Sequence, residues 1–212
     1  MMKKILLGLN IFLLTNLIIF SEIRSQINNE IIVRVGSLMV SSFDVQNEIM
    51  TNLVLNKKEI SQENINNRKN FAIKNLINKT IKKGEINKYK IKEYNKKDLQ
   101  NYTNNIAKNL NTNSSGLKKI FKQFDLDYEI FLEKHETELL WNSLIYQLYK
   151  NQTNVNIVEV ENEMEKIKDD KNKKELKEIK ENILNTRKEE KLNLFSRSHF
   201  SNLENTIVVN FQ

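Results

Sequence analysis

His135 in KHETE and His199 in SRSHFS are the two histidines of the 212 residues, and there is no cysteine. Zinc sites draw their ligands from clusters of Cys and His, so two separated imidazoles predict no metal site. Each histidine reads as solvated or as satisfied within the core. Glu159, Glu161, Glu163 and the pair Asp169-Asp170 lack the pattern of an EF-hand loop and read as charged helix surface. Ser41-Ser42 has no G-x-S-x-G turn around it, and no Gly-rich phosphate loop occurs, so neither a nucleophile elbow nor nucleotide use is indicated. The sequence predicts no catalytic residue, no metal, no cofactor, and thus a protein that is not an enzyme.

What remains that could act is apolar. Phe121, Phe124, Tyr128, Phe131, Trp141, Tyr146, Tyr149 and Phe195 fall in the second half of the chain. Phe121 and Phe131 have core spacing. Trp141, Tyr146, Tyr149 and Phe195 are the candidate binding residues. The segment from Tyr128 to about Lys150 is apolar on several faces, and such a helix either is wholly buried or lines a groove. Tyrosine suits a groove because it joins a rigid apolar face to a polar tip.

The elements that position these residues are mostly helical. The chain has no proline and four glycines, and Lys, Glu, Asn and Leu are frequent. EIIVRV, the turn Gly36-Ser37 and LMV predict a hairpin. Ser41 caps a helix with Asp44 in its first turn, and Val45, Ile49 and Leu53 form its stripe. Ile73, Leu76, Ile77 and Ile81 mark a second helix, which the apolar Ile86 and Tyr89 carry through Gly84. Asn95 and Asp98 open a third (Leu99, Tyr102, Ile106, Leu110). After a loop over 111–116 comes a short fourth (Leu117, Ile120, Phe121, Phe124), and Asp127 caps the fifth. Residues 151–167 read as an extended piece and a short helix, 168–174 as a charged linker, and about 175–203 as a long helix. LENTIVVNFQ then ends in a strand with Ile207, Val209 and Phe211 on one face. The economical partner for 206–211 is the strand at 31–35, because an unpaired edge is a liability.

Residues 1–25 predict a secretory signal: basic MMKK, the apolar run 5–20, then polar SEIRSQ. Sixteen residues are short for a span of about 20; an uncleaved inner-membrane anchor is the alternative. The net charge of +7 comes from lysines interleaved with acids along the helices, the pattern of a solvated face and not of a nucleic-acid stripe. The expected organisation is 1–25 signal, 26–167 helical domain, 168–174 linker, and 175–212 a helix and closing strand packed on the same domain.

In the order of its motifs the chain resembles the SurA family of periplasmic chaperones, outside that family's isomerase domains. The matching stretches are IIVRVGSLMVSSFDV (31–45), NLINKTIKKGEINKYKI (75–91), LQNYTNNIAKNL (99–110), LKKIFKQFDLDYEIFLEKHETELLWNSLIYQL (117–148) and ILNTRKEEKLNLFSRSHFSNLENTIVVNFQ (183–212). Lys90 and Asp125 stand where the family has glycine. The parvulin prolyl isomerase domains that many members insert have no room near 165–175. The resemblance implies a mostly α, SurA-like domain with a small sheet pairing its two ends. It implies an ATP-independent periplasmic holdase for unfolded outer-membrane proteins or other exported polypeptides. The alternative is a membrane-anchored scaffold of the cell envelope with a folded partner. Membrane contact is expected only if the signal stays uncleaved.

Overall fold

The computed structural model describes residues 29–167 and 172–212. The signal expected over 1–25, and residues 168–171 of the expected linker, lie outside the described residues. The fold is mostly α with one small sheet, as expected from the sequence. In chain order it runs β1 (Ile31–Val35), β2 (Leu38–Ser41), α1 (Ser42–Leu55), α2 (Gln62–Lys88), α3 (Lys96–Asn109), α4 (Ser114–Gln123), α5 (Tyr128–Tyr149), a 3-10 turn (Lys150–Gln152), α6 (Ile157–Glu165), α7 (Lys173–Thr206) and β3 (Val209–Phe211).

The hairpin closes on Gly36, whose φ of +57° is the left-handed conformation a tight turn demands. β3 pairs antiparallel with β1, giving the order β2-β1-β3. Val35 faces Val209, Arg34 faces Asn210 and Val33 faces Phe211. The Gly36 N–H donates to the Val208 carbonyl (3.0 Å) and the Gln212 N–H to that of Ile32 (3.0 Å). The two ends of the described chain thus meet in one sheet. The strand is shorter than expected because helix geometry persists to Thr206. Ile207 and Val209 are half-buried, but Phe211 sits on the sheet's outer strand and stays 66% exposed.

Caps set the helix starts. The Ser41 Oγ accepts from the Asp44 N–H and the Asp44 Oδ2 accepts from the Ser41 N–H, a capping box. Asn172 and Glu175 form another, so Lys173 and Lys174 belong to α7 and not to a linker. Asn113 caps α4, which moves Ser114–Gly116 from the expected loop into the helix. Asn95 and Asp127 cap α3 and α5 as read from the sequence. α2 runs through Gly84 without needing it: a Cβ there meets nothing nearer than Leu38 Cδ1 at 3.9 Å.

Three apolar clusters hold the layers together. The first joins the sheet to α1 and α2 (Val33, Val40, Ile49, Leu53, Leu76, Ile81), with Phe200, Leu203 and Ile207 of the C-terminal segment packed on it. The second places Trp141, Leu144 and Ile145 of α5 against Ile86, Leu192 and Phe200. The third gathers Ala107, Leu117, Phe121 and Phe131 where α3, α4 and α5 cross. α5 is central, as its all-round apolar pattern predicts. Each large side chain so buried is worth roughly 1.5–3 kcal/mol. α7 contributes no fully buried residue: its stripe of Ile179, Ile183, Leu192, Phe195 and Leu203 is half-buried, and Arg187 interrupts it to pair with Glu163 at 2.6 Å.

Candidate functional site

The four sequence-predicted binding residues lie around the seam between α5 and α7, and two of them, Tyr149 and Phe195, meet. Tyr149 stacks on Phe195 with ring centroids 4.8 Å apart and planes 7° from parallel. Trp141, about two turns earlier on α5, is 2% exposed and donates its Nε1–H to the Ser196 Oγ at 2.8 Å. Its ring meets Phe200 edge-on at 6.0 Å. Lys82 of α2 lies over both rings and pairs with Glu138. Trp141 is therefore a core residue that fastens α7, with almost no surface to offer a ligand.

A polar chain crosses the same seam. The Tyr149 OH and His199 Nδ1 are 2.8 Å apart, and His199 Nε2 is 3.2 Å from Glu85 Oε1. Glu85, only 6% exposed, also takes Lys88 Nζ at 3.2 Å. Burial, with the charge of Glu85 and the phenol of Tyr89, holds the Tyr149 phenol above its usual range, so it stays protonated. His199 is thus satisfied within the core, its partners drawn from α2 and α5 while it rides on α7.

Tyr146 points elsewhere. It is 57% exposed, with Lys150 Nζ 5.9 Å from its ring centroid. It borders an open cleft of about 510 Å³ between the end of α5, the segment after it and α7, lined with Val155, Ile157, Leu184 and Leu192 and rimmed by Lys150 and Lys188. Solvent contact in this region falls to Tyr146 and to the half-buried Tyr149–Phe195 pair.

Sequence reasoning missed a second site, a cavity of about 280 Å³ with mixed polar and apolar walls, bounded by α1, α2, α3 and α5. Asn47, Glu48 and Thr51 of α1 line it and are each less than a tenth exposed. Asn47 Oδ1 accepts from the Asp127 N–H at 3.2 Å, tying α1 to the α5 cap. Glu48 is paired with Lys134 and accepts from Asn75 Nδ2 at 3.2 Å. Lys79 is held by Glu133 at 2.6 Å. Tyr102 stacks on His135 with centroids 3.7 Å apart. Burial and the nearby Glu48 charge push its phenol up, while burial pushes the His135 imidazole down against the pull of Glu138 and Asp98.

Among the described residues no group of His, Cys, Asp and Glu could hold a metal ion, and no helix is long and apolar enough to cross a membrane. No protein-family model and no curated protein matches the chain.

Proposed function

We propose that the protein is an ATP-independent holdase of the periplasm that binds unfolded outer-membrane proteins through the cleft beside α7 that Tyr146, Ile157 and Leu184 border. The observation that carries this reading is the cleft at Tyr146. A large aromatic ring, Ile157 and Leu184 border one open depression, where an extended apolar segment could be covered without unfolding the host. The leader-like segment 1–25 and the chaperone-like order of motifs support an envelope location. The mechanism is reversible burial. Each apolar side chain of a client that leaves water contributes up to roughly 1.5–3 kcal/mol, and ordering the client offsets much of that. Several weak contacts then hold a client without trapping it.

The test uses the chain without residues 1–25 and an outer-membrane β-barrel protein diluted from denaturant. Without ATP it suppresses light scattering by the client, and Tyr146→Ser weakens that suppression while leaving the fold intact. Undiminished aggregation at several-fold molar excess of the protein refutes the proposal.

A further inference from the structure

β3 ends the sheet order β2-β1-β3, so its second edge faces no other strand of the sheet. The Gly36 N–H bonds the Val208 carbonyl and the Gln212 N–H bonds that of Ile32, which turns residues 208 and 212 toward β1. Backbone groups alternate sides along a strand, so Asn210, opposite Arg34, turns its N–H and C=O to β1 as well. Val209 and Phe211 therefore turn theirs outward. Among the described residues no backbone group bonds to them there. Phe211 and Val208 are the most exposed of the large apolar side chains described. Proteins blunt an open edge with Lys, Pro, a bulge or a covering element. TIVVNFQ (206–212) has no charged residue and no proline, and its pairing with β1 runs without the register shift seen between β1 and β2.

The chemistry of the edge names its occupant. Two N–H and two C=O groups repeat about 6.8 Å apart, the two-residue spacing of an extended chain, so what pairs with them is another polypeptide backbone. Val209 and Phe211 lie opposite Val35 and Val33 and share the core face of the sheet with them. An added strand turns every second side chain onto that face, beside Phe211, and the others to water. That alternation is the pattern of an outer-membrane β-barrel strand. A second copy pairing edge to edge engages the three residues of β3 on each side, against roughly 20–30 a side in a stable interface. The area fits a transient strand and not a dimer.

We propose that the β3 edge takes up an extended segment of an unfolded outer-membrane client as a fourth strand, antiparallel to β3, exchanging backbone hydrogen bonds with Val209 and Phe211. This rests on the holdase reading for its source of strands. It adds a contact of different chemistry, which recognises the backbone and its alternation while the cleft at Tyr146 covers side chains. Leu192 borders that cleft, and α7 rises about 21 Å from there to its end at Thr206. About six or seven extended residues span that distance, so one client segment reaches both contacts and each strengthens the other.

The experiment titrates an acetylated, amidated peptide of alternating threonine and valine, flanked by lysines, into the ¹⁵N-labelled full chain and follows amide hydrogen exchange. In the free protein the Asn210 amide is expected to exchange slowly and those of Val209 and Phe211 fast. Peptide at nine-tenths occupancy slows the latter two about tenfold. The valines of the bound strand lie against Val209 and Phe211, so valine backbone groups bond β3 and threonine groups face away. N-methylating the valines weakens binding about tenfold or more, each lost bond being worth about three- to tenfold. N-methylating the threonines leaves binding unchanged. Both changes are made in the peptide, so lost binding cannot be ascribed to unfolding of the protein. Val209 and Phe211 amides that stay fast in excess peptide overturn the proposal, as does equal binding of the two methylated peptides. Amides already slow in the free protein that quicken on dilution assign the edge to a second copy and overturn it too. If client aggregation is still suppressed in any of those cases, this inference alone falls. If the peptide binds as expected but client aggregation is not suppressed, the holdase reading falls and the edge assignment stands.

Discussion

Replacing Lys90 by glycine should make the protein more stable. Lys90 sits just past α2 with φ of +56°, where a Cβ is strained. The strain persists because it completes a Schellman closure. The Lys90 N–H donates to the Asn87 carbonyl and the Ile91 N–H to that of Ile86, each at 3.1 Å, and Ile91 then packs on the cluster containing Ile86. A left-handed conformation costs an L-residue about 1–2 kcal/mol. Glycine relieves that but loses about 0.5–1 kcal/mol more to chain entropy, leaving a gain of about 0.5–1 kcal/mol. Lys57, at the same position after α1 with φ of +52°, carries the same strain, and its neighbour Lys58 donates to Leu53 at 2.9 Å. The two sites lie in different turns, so their effects should add. The double variant should gain about 1–2 kcal/mol, a rise of about 2–8 °C in melting temperature for a chain of this size. Thermal unfolding followed by circular dichroism measures it. Lys90→Ala is the control, since it removes the charge and keeps the strained Cβ, and it should move the midpoint little. A glycine variant that melts at or below the wild-type temperature, or an alanine variant that rises as much, refutes the backbone argument.

Two further outcomes follow from the same structure. Stability should fall on acidification in two steps. Burial lowers His135 below its usual 6.5, so its contribution is full above about pH 6.5 and is lost as pH drops through the folded value. Burial would raise Glu133, but the hydrogen bonds and charges of Lys79 and Lys83 outweigh it and hold the carboxyl below 4.5, so its contribution persists to lower pH before it too is lost. Urea midpoints from pH 8 to 3 should show both, with His135→Gln removing the upper step and Glu133→Gln the lower; a His135 variant with an unchanged profile above pH 5 argues against the first. Deleting residues 207–212 should destabilise the whole domain by about 2–4 kcal/mol, because it strips two half-buried apolar residues and bares the β1 edge; an unchanged midpoint would show that β3 is a dispensable tail.

The parts of the fold that were legible in the sequence are those where one local signal sufficed. Ser41 with Asp44, Asn95 and Asp127 announced helix starts because a short oxygen-bearing side chain before an apolar stripe has few other uses. The β1–β3 pairing was legible for a different reason: an alternating strand after a long charged helix needs a partner, and one other strand pair was in view. The misplaced boundaries have equally local causes. Residues 111–116 look like a loop because Asn, Ser and Gly dominate them, yet Asn113 is a cap and the serines are its first turn. The chain around Lys173 looks like a solvated linker because nothing there is buried, and a helix held by a capping box and ion pairs needs no apolar stripe at its start.

The binding residues were harder to read because a side chain's type does not say which way tertiary packing turns it. Trp141, Tyr146 and Tyr149 share one apolar helix, but α7 lands on the side that carries Trp141 and Tyr149, consuming the first and leaving Tyr146 in solvent. The cavity under α1 shows the same limit from the opposite direction. Val45, Ile49 and Leu53 identify the face packed on the sheet, and nothing in the residue types of Asn47, Glu48 and Thr51 marks a second buried face. They are buried because α5 crosses them, and only a contact eighty residues away in sequence, Asn47 to Asp127, reveals it. A polar stripe beside an apolar one on a short helix is ambiguous until a second helix covers it. Once covered, it must be paired, hydrated or used. Glu48 and Asn47 are paired. The Thr51 hydroxyl is closed to solvent and has no hydrogen-bond partner, a local cost that the packing around α1 carries.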